Sequence, residues 1–300
     1  DFEFRQGRRW LLDNHVRDIA VTPDGRVWFA TAAGVSCIEF RQTTLAKKAA
    51  QFDDAIDKHH RRTRLGYVNP AKLSAPGDAD TAVAEATDND GHFTGIYLGA
   101  ASLGYAATKS DKLRRDAVKA FEALAFLGEV TEGGTHPAPK GFIARAVEPR
   151  SGPDPNEKEN AEYNARRRER DALWKLIVPR WPIDKTGEWY WKCDSSSDEL
   201  DGYYFGFGIF FDRVCETESE KEAVRDVVRR MTDHLIDHDF ALVDHDGLPT
   251  RWAHFSPGDL NRNPEWWVER GLNANSILSY LTVAHHITGD AKYREVFMKL

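Results

Sequence analysis

The sequence predicts a mainly α chain: helical hairpins repeated along most of its length, preceded by a short antiparallel β-meander. Three observations predict it. The apolar period changes from that of strands to that of helices near Thr43. From Asp88 onward, one order of segments recurs: Asp-Gly, an aromatic, a Gly-rich helix, a charged hinge, an amphipathic helix, a Gly/Pro loop and Arg. Within each recurrence the first helix is apolar almost all round and the second is amphipathic.

Two short apolar runs flank the turn Pro23-Asp24-Gly25, and a second turn falls at Ala32-Ala33-Gly34. Three strands follow, at about 16–21, 26–31 and 35–40. A plain β-meander accounts for this pattern. The same residues, with Val-Trp-Phe-Ala-Thr-Ala-Ala-Gly-Val at 27–35, also resemble the repeat of two-component-regulator-type β-propellers. That resemblance assigns residues 1–42 to one blade. A propeller needs about four to eight blades, so it implies further blades of a longer chain, or a blade packed on the helical part. The motif carries no chemistry of its own.

Residues 43–62 alternate charged and apolar groups at helical spacing and end in His59-His60-Arg61-Arg62, a basic helix terminus. The first hairpin begins Asp88-Asn89-Asp90-Gly91-His92. It continues through an apolar helix at 93–107, a hinge at Lys109-Ser110-Asp111-Lys112 and an amphipathic helix at 111–128, and closes near Arg145. The second begins Asp198-Glu199-Leu200-Asp201-Gly202. Its apolar helix spans 203–215 and its amphipathic helix 219–238, and it closes at Arg251-Trp252. A third starts at Arg270-Gly271 and reaches a hinge at Thr288-Gly289-Asp290. Inner helices buried on every side inside an outer amphipathic ring describe an α/α barrel. This arrangement resembles the six-hairpin (α/α) toroid superfamily of glycoside hydrolases and polysaccharide lyases, over residues 43–300. At most four hairpins fit in this length, which implies an incomplete toroid, truncated at the C-terminus.

Composition narrows the class. The 300 residues are 41% hydrophobic and 30% charged, which supports a folded core, and no apolar run is long enough to span a bilayer. A net charge of −7 argues against nucleic acid as a partner. Cys37, Cys193 and Cys215 stand far apart, with no metal-ligand spacing, so neither a metal nor any other cofactor is expected. His234, His238 and His245 are placed on an outer helix and its loop. There is no phosphate-binding Gly-rich loop and no G-x-S-x-G elbow.

In toroids of this kind the site lies at the inner-helix N-termini, where the polar motifs of this chain fall. Residues Trp189 to Gly202 hold four carboxylates and three hydroxyls beside an aromatic triplet. They serve either as helix caps or as a sugar site, which needs carboxylates for acid–base work and aromatics for stacking. Asp90 and Asp201 occupy equivalent repeat positions, so they are the expected catalytic pair, with Asp198 and Glu199 as substitutes. Substrate contacts are expected from Asn89, His92, Arg145, Trp189, Trp191, Tyr203, Arg251, Trp252, His254 and Trp266. Arg145 and Arg251 either tie a loop to a carboxylate of their own repeat or grip a uronate.

The resemblance therefore implies a secreted enzyme, periplasmic or extracellular, that hydrolyses glycosidic bonds of an oligo- or polysaccharide with two carboxylates. Two alternatives stay open. One is a polysaccharide lyase, with Arg or Asn neutralising a uronate and Tyr or His as base. The other is a non-catalytic glycan-binding or sensor module.

Overall fold

The computed structural model describes Arg5, residues 10–75 and residues 78–300. Helices hold 48% of the chain, and the strands form only small antiparallel sheets, so the protein is mainly α. The chain divides into two compact units, one of residues 1–61 and 70–85, the other of residues 62–69 and 86–300.

In the first unit, β1 (Val16–Val21), β2 (Val27–Thr31) and β3 (Gly34–Ile38) form the expected meander, with Ile19 opposite Phe29 and Trp28 opposite Cys37. Helix α1 (Leu45–His59) starts where the period changes: the Thr44 hydroxyl accepts from the Lys47 amide. It ends at His59, three residues before the expected end. This helix belongs with the meander rather than with the hairpins, so the boundary lies beyond residue 42. Lys58 pairs with Asp80, and strand Ala82–Ala84 pairs with Ala71–Leu73 in the same unit.

The second unit contains the hairpins. The first helices of the hairpins are α2 (Asp90–Thr108), α5 (Ser197–Arg213) and α8 (Arg270–Thr288). The helices that follow them are α3 (Asp111–Glu129), α6 (Glu218–Asp237) and α9 (Ala291–Phe297). Between α3 and α5 lies α4 (Ala161–Arg168), a charged helix, and α7 (Pro257–Arg262) precedes α8. Hinges are sharp because Lys109 and Gly289 end α2 and α8 in the left-handed conformation, and because Thr217 and Glu220 form a reciprocal capping box on α6.

Side-chain pairs fix the directions. Tyr97 reaches Asp116 while Gly104 faces Leu113, so α2 and α3 are antiparallel. Ser276 reaches Asp201, Val283 packs on Gly208 and His286 meets Asp212, so α5 and α8 are parallel. The N-termini of α2 and α5 also lie together.

Helices α2 and α5 touch backbone to backbone. Gly91, Gly95 and Gly99 repeat every four residues on one face of α2, and Gly202 and Gly206 do so on α5. A methyl group on Gly95 would stand 2.2 Å from the Gly202 carbonyl oxygen, and one on Gly202 would stand 2.6 Å from His92 Cα. The core spreads outward from this crossing. Phe121 of α3 stacks on Phe210, and Tyr203 reaches the Leu124 carbonyl. Helices α2 and α5 are not covered all round, however. Ile96, Leu103 and Phe205 are each about half exposed, because the crossing takes up only the glycine face of each helix.

Candidate functional site

The polar loops gather where α2 and α5 begin. Asn89 occupies the N-cap of α2, but its side chain makes no capping bond. The cap comes from the neighbouring helix instead. Glycine packing brings Glu199 of α5 over the end of α2, where its Oε2 accepts from the amides of Gly91 (2.6 Å) and His92 (3.1 Å). His92 returns the contact, donating from Nδ1 to the Asp198 carbonyl at 2.9 Å. Residues Ser196-Ser197-Asp198-Glu199 have the spacing of a capping box for α5, yet Ser196 makes no cap bond. The glutamate that would complete the box serves α2.

Four buried polar atoms of this neighbourhood have no protein partner: Oγ of Ser195, Oγ of Ser196, Oε1 of Glu199 and Oδ1 of Asn273 at the start of α8. Buried polar groups are nearly always bonded, so these four atoms have capacity for a further partner. Burial holds the Glu199 carboxyl well above the usual carboxylate range, against the opposing pull of Arg145 and the two amides.

Arg145 ties the two lead-in loops together. Its Nε donates to the Asp88 carbonyl (2.8 Å) and its Nη1 to the Asp194 carbonyl (3.0 Å). Asp88 and Asp194 both take a left-handed backbone, which aspartate tolerates. Their side chains differ. Asp194 is fully buried against Arg180 and also accepts from the Arg251 amide. Asp88 is partly exposed and paired with Lys192 at 2.6 Å. Burial alone would raise the Asp88 carboxyl, but Lys192 and Arg145 outweigh it and hold it below its ordinary value. Arg145 thus stands near two carboxyl groups whose proton affinities are shifted in opposite directions, Glu199 up and Asp88 down.

The expected convergence of Asp90 and Asp201 does not form. Asp90 is fully buried, paired with Arg62, and accepts from Asn69 (2.6 Å) and the Val147 amide (3.2 Å). Burial raises its carboxyl, with Arg62 and Asn69 opposing. Asp201 accepts from Ser276 and Tyr280 and lines a groove of about 440 Å³ between α5 and α8. The two aspartates share no partner. Asp90 opens α2, whereas Asp201 lies more than a turn into α5, and each faces its own neighbours.

The expected sugar platforms are mostly core. Trp189 and Trp191 are buried in strand Trp189–Trp191, which pairs with Val147–Pro149, and they pack on Phe126 and Phe142 respectively. Tyr203 is fully buried. Trp266 is buried beneath His254, whose ring stacks on it at 4.3 Å. His254 is held from both sides, by Asp259 and the Thr250 carbonyl. Trp252 is half-buried, with the Arg251 guanidinium 4.0 Å over its ring, while Trp267, next to the buried Trp266, is 66% exposed.

Arg251 belongs to a second cluster. Its fork grips Asp171 at 2.9 and 3.2 Å, and Asp171 is lowered because that grip outweighs its burial. Replacing Arg251 by lysine keeps the charge but loses the two-point grip and the stacking, and is expected to cost about 1–2 kcal/mol in urea denaturation.

Sequence reasoning missed Asp88 as a chemical group, Asn273, and the buried partners Arg62, Asn69 and Asp171. The unused capping-box spacing at Ser196 was the readable signal for Glu199. No signal in the chain marks Arg62, which lies 28 residues from the aspartate it pairs with. Comparison with protein families, curated proteins and solved structures finds no match to this chain.

Proposed function

We propose that the helical unit is part of an (α/α) toroid that hydrolyses glycosidic bonds at the N-terminal mouth of its inner helices, with Glu199 as acid and Asp88 as the second carboxylate. One observation carries the reading: two carboxyl groups beside Arg145 are pushed in opposite directions, Glu199 toward the protonated form and Asp88 toward the ionised one. Glycoside hydrolysis needs that division, one carboxylic acid to protonate the leaving oxygen and one carboxylate to activate water or attack the sugar. Glu199 Oε1, with no protein partner, is the position free to give the proton. Because Glu199 is fully buried, substrate must part the lead-in loops to reach it. Asp198, the exposed residue just before Glu199 in the first turn of α5, is the alternative second carboxylate.

Hydrolysis is favoured over elimination by the state of the cations. Arg145 is spent on two backbone carbonyls and Arg251 on Asp171, so neither guanidinium is presented to a uronate. Tyr203 and Tyr204 are buried and bonded, which removes them as bases. Asp90 becomes scaffold in this reading, and Asp201 lies outside the mouth.

The test is incubation with a panel of neutral and acidic oligo- and polysaccharides, reading new reducing ends and the ultraviolet absorbance of unsaturated uronate. Reducing ends without the absorbance are expected, and Asp88→Asn should lower their rate about 10²–10⁴-fold. The absorbance would overturn the hydrolytic reading, and binding with no new ends would leave a glycan-binding module.

A further inference from the structure

On the far side of the Cys193–Ser196 loop lies a second group of ligating side chains that the proposed chemistry does not use. Cys193 and Asp244 are buried and His245 is half-buried, and each offers one ligand atom within 4.8 Å of the other two. The exposed His136 packs on the outer side of His245, with ring centroids 5.1 Å apart, and is not one of the three clustered groups. The Pro179 carbonyl accepts from His245 Nε2 at 3.2 Å, which leaves Nδ1 with a free lone pair. Metal-bound imidazoles typically donate their other N–H to a carbonyl in this way. The carboxylate is oriented too: Asp244 accepts from the amides of Asp194 (2.7 Å) and His245 (2.8 Å), and each oxygen keeps a second lone pair.

We propose that Cys193, Asp244 and His245 bind one zinc ion, with solvent in the fourth position, and that the ion staples the lead-in loop of α5 to the loop between strands Ala241–Val243 and Pro249–His254. One thiolate, one carboxylate and one imidazole form a ligand set of the borderline-soft kind that zinc takes up, and a water molecule completes the tetrahedron. Electrostatics point the same way. Asp244 and Cys193 are both fully buried, so a thiolate and a carboxylate there need a nearby positive charge. A divalent ion neutralises the thiolate and carboxylate together and removes the cost of burying them. On binding, the Cys193 thiol gives its proton to solvent and its sulfur bonds the metal, with no change of oxidation state. The three ligands come from two stretches about 50 residues apart, so the ion closes a long loop that contains Asp194, whose carbonyl holds Arg145.

The experiment uses the whole chain, stripped with chelator and titrated with zinc, then with cobalt(II) as a coloured replacement. Stoichiometric zinc, a raised Tm and a sulfur-to-cobalt charge-transfer band are expected. His245→Gln, at a half-buried position, should weaken zinc binding about tenfold or more with unchanged circular dichroism. Cys193→Ser should abolish the sulfur band, and Cys215→Ser should change nothing. Failure to retain zinc, a cobalt complex without the sulfur band, or normal zinc affinity in His245→Gln would each overturn the proposal. The readouts are independent of catalysis, so they stand or fall apart from the hydrolytic reading.

Discussion

Gly95→Ala is expected to destabilise the helical unit by about 3 kcal/mol or more, the largest effect of any single methyl group in the α2–α5 crossing. The added carbon would lie 2.2 Å from the Gly202 carbonyl oxygen and 2.8 Å from Gly202 Cα. These neighbours are backbone, not the flexible end of a side chain, so relief requires the two helices to separate. Separation would draw Glu199 away from the amides of Gly91 and His92, reopening the end of α2. The helix propensity of alanine over glycine returns only about 1 kcal/mol, which does not offset the clash. Gly271→Ala is the control, since Gly271 lies in α8 with nothing within 4 Å of the added carbon. It is expected to stabilise by about 0.5–1 kcal/mol. Urea denaturation followed by circular dichroism measures both. Equal midpoints for the two variants would mean that α2 and α5 do not cross at these glycines.

Glu199→Gln is expected to make the protein more stable and, under the proposed function, inactive. The folded-state proton affinity of Glu199 is raised, so its contribution to stability is complete below the ordinary carboxylate range and is lost as pH rises through the folded-state value. A glutamine keeps the acceptor for the Gly91 and His92 amides and never ionises. The variant should therefore gain about 1–2 kcal/mol over wild type at neutral to alkaline pH and converge with it in acid. Asp90, also raised, is unchanged in both proteins and cancels in the comparison. Activity on the hydrolysed glycan should fall about 10²–10⁴-fold, because the amide has no proton to give. A more stable but inactive enzyme is the signature of a group held in its place for chemistry rather than for the fold. A variant less stable than wild type at all pH values would mark Glu199 as a plain structural cap. In that case Asp88 would be left without an acid partner.

What the sequence determined is local. Helical period, hinge residues and turn chemistry act over a few positions. The elements at 111–128, 219–238 and 16–21 accordingly appear as Asp111–Glu129, Glu218–Asp237 and Val16–Val21. The glycine-rich character of α2 and α5 was legible too, and the crossing sets Gly202 against Gly91 and His92. The tertiary structure alone decided where each helix begins and where the side chains point. A repeat specifies the order of residue types, whereas a residue's partner depends on what stands beside its helix. Asp90 faces Arg62 and Asp201 faces Tyr280, although the two read alike in the sequence. The same holds for Glu199, whose spacing marks it as a cap for its own helix. Glycine packing brings another helix's unpaired amides closer, and the carboxyl group goes to those amides instead.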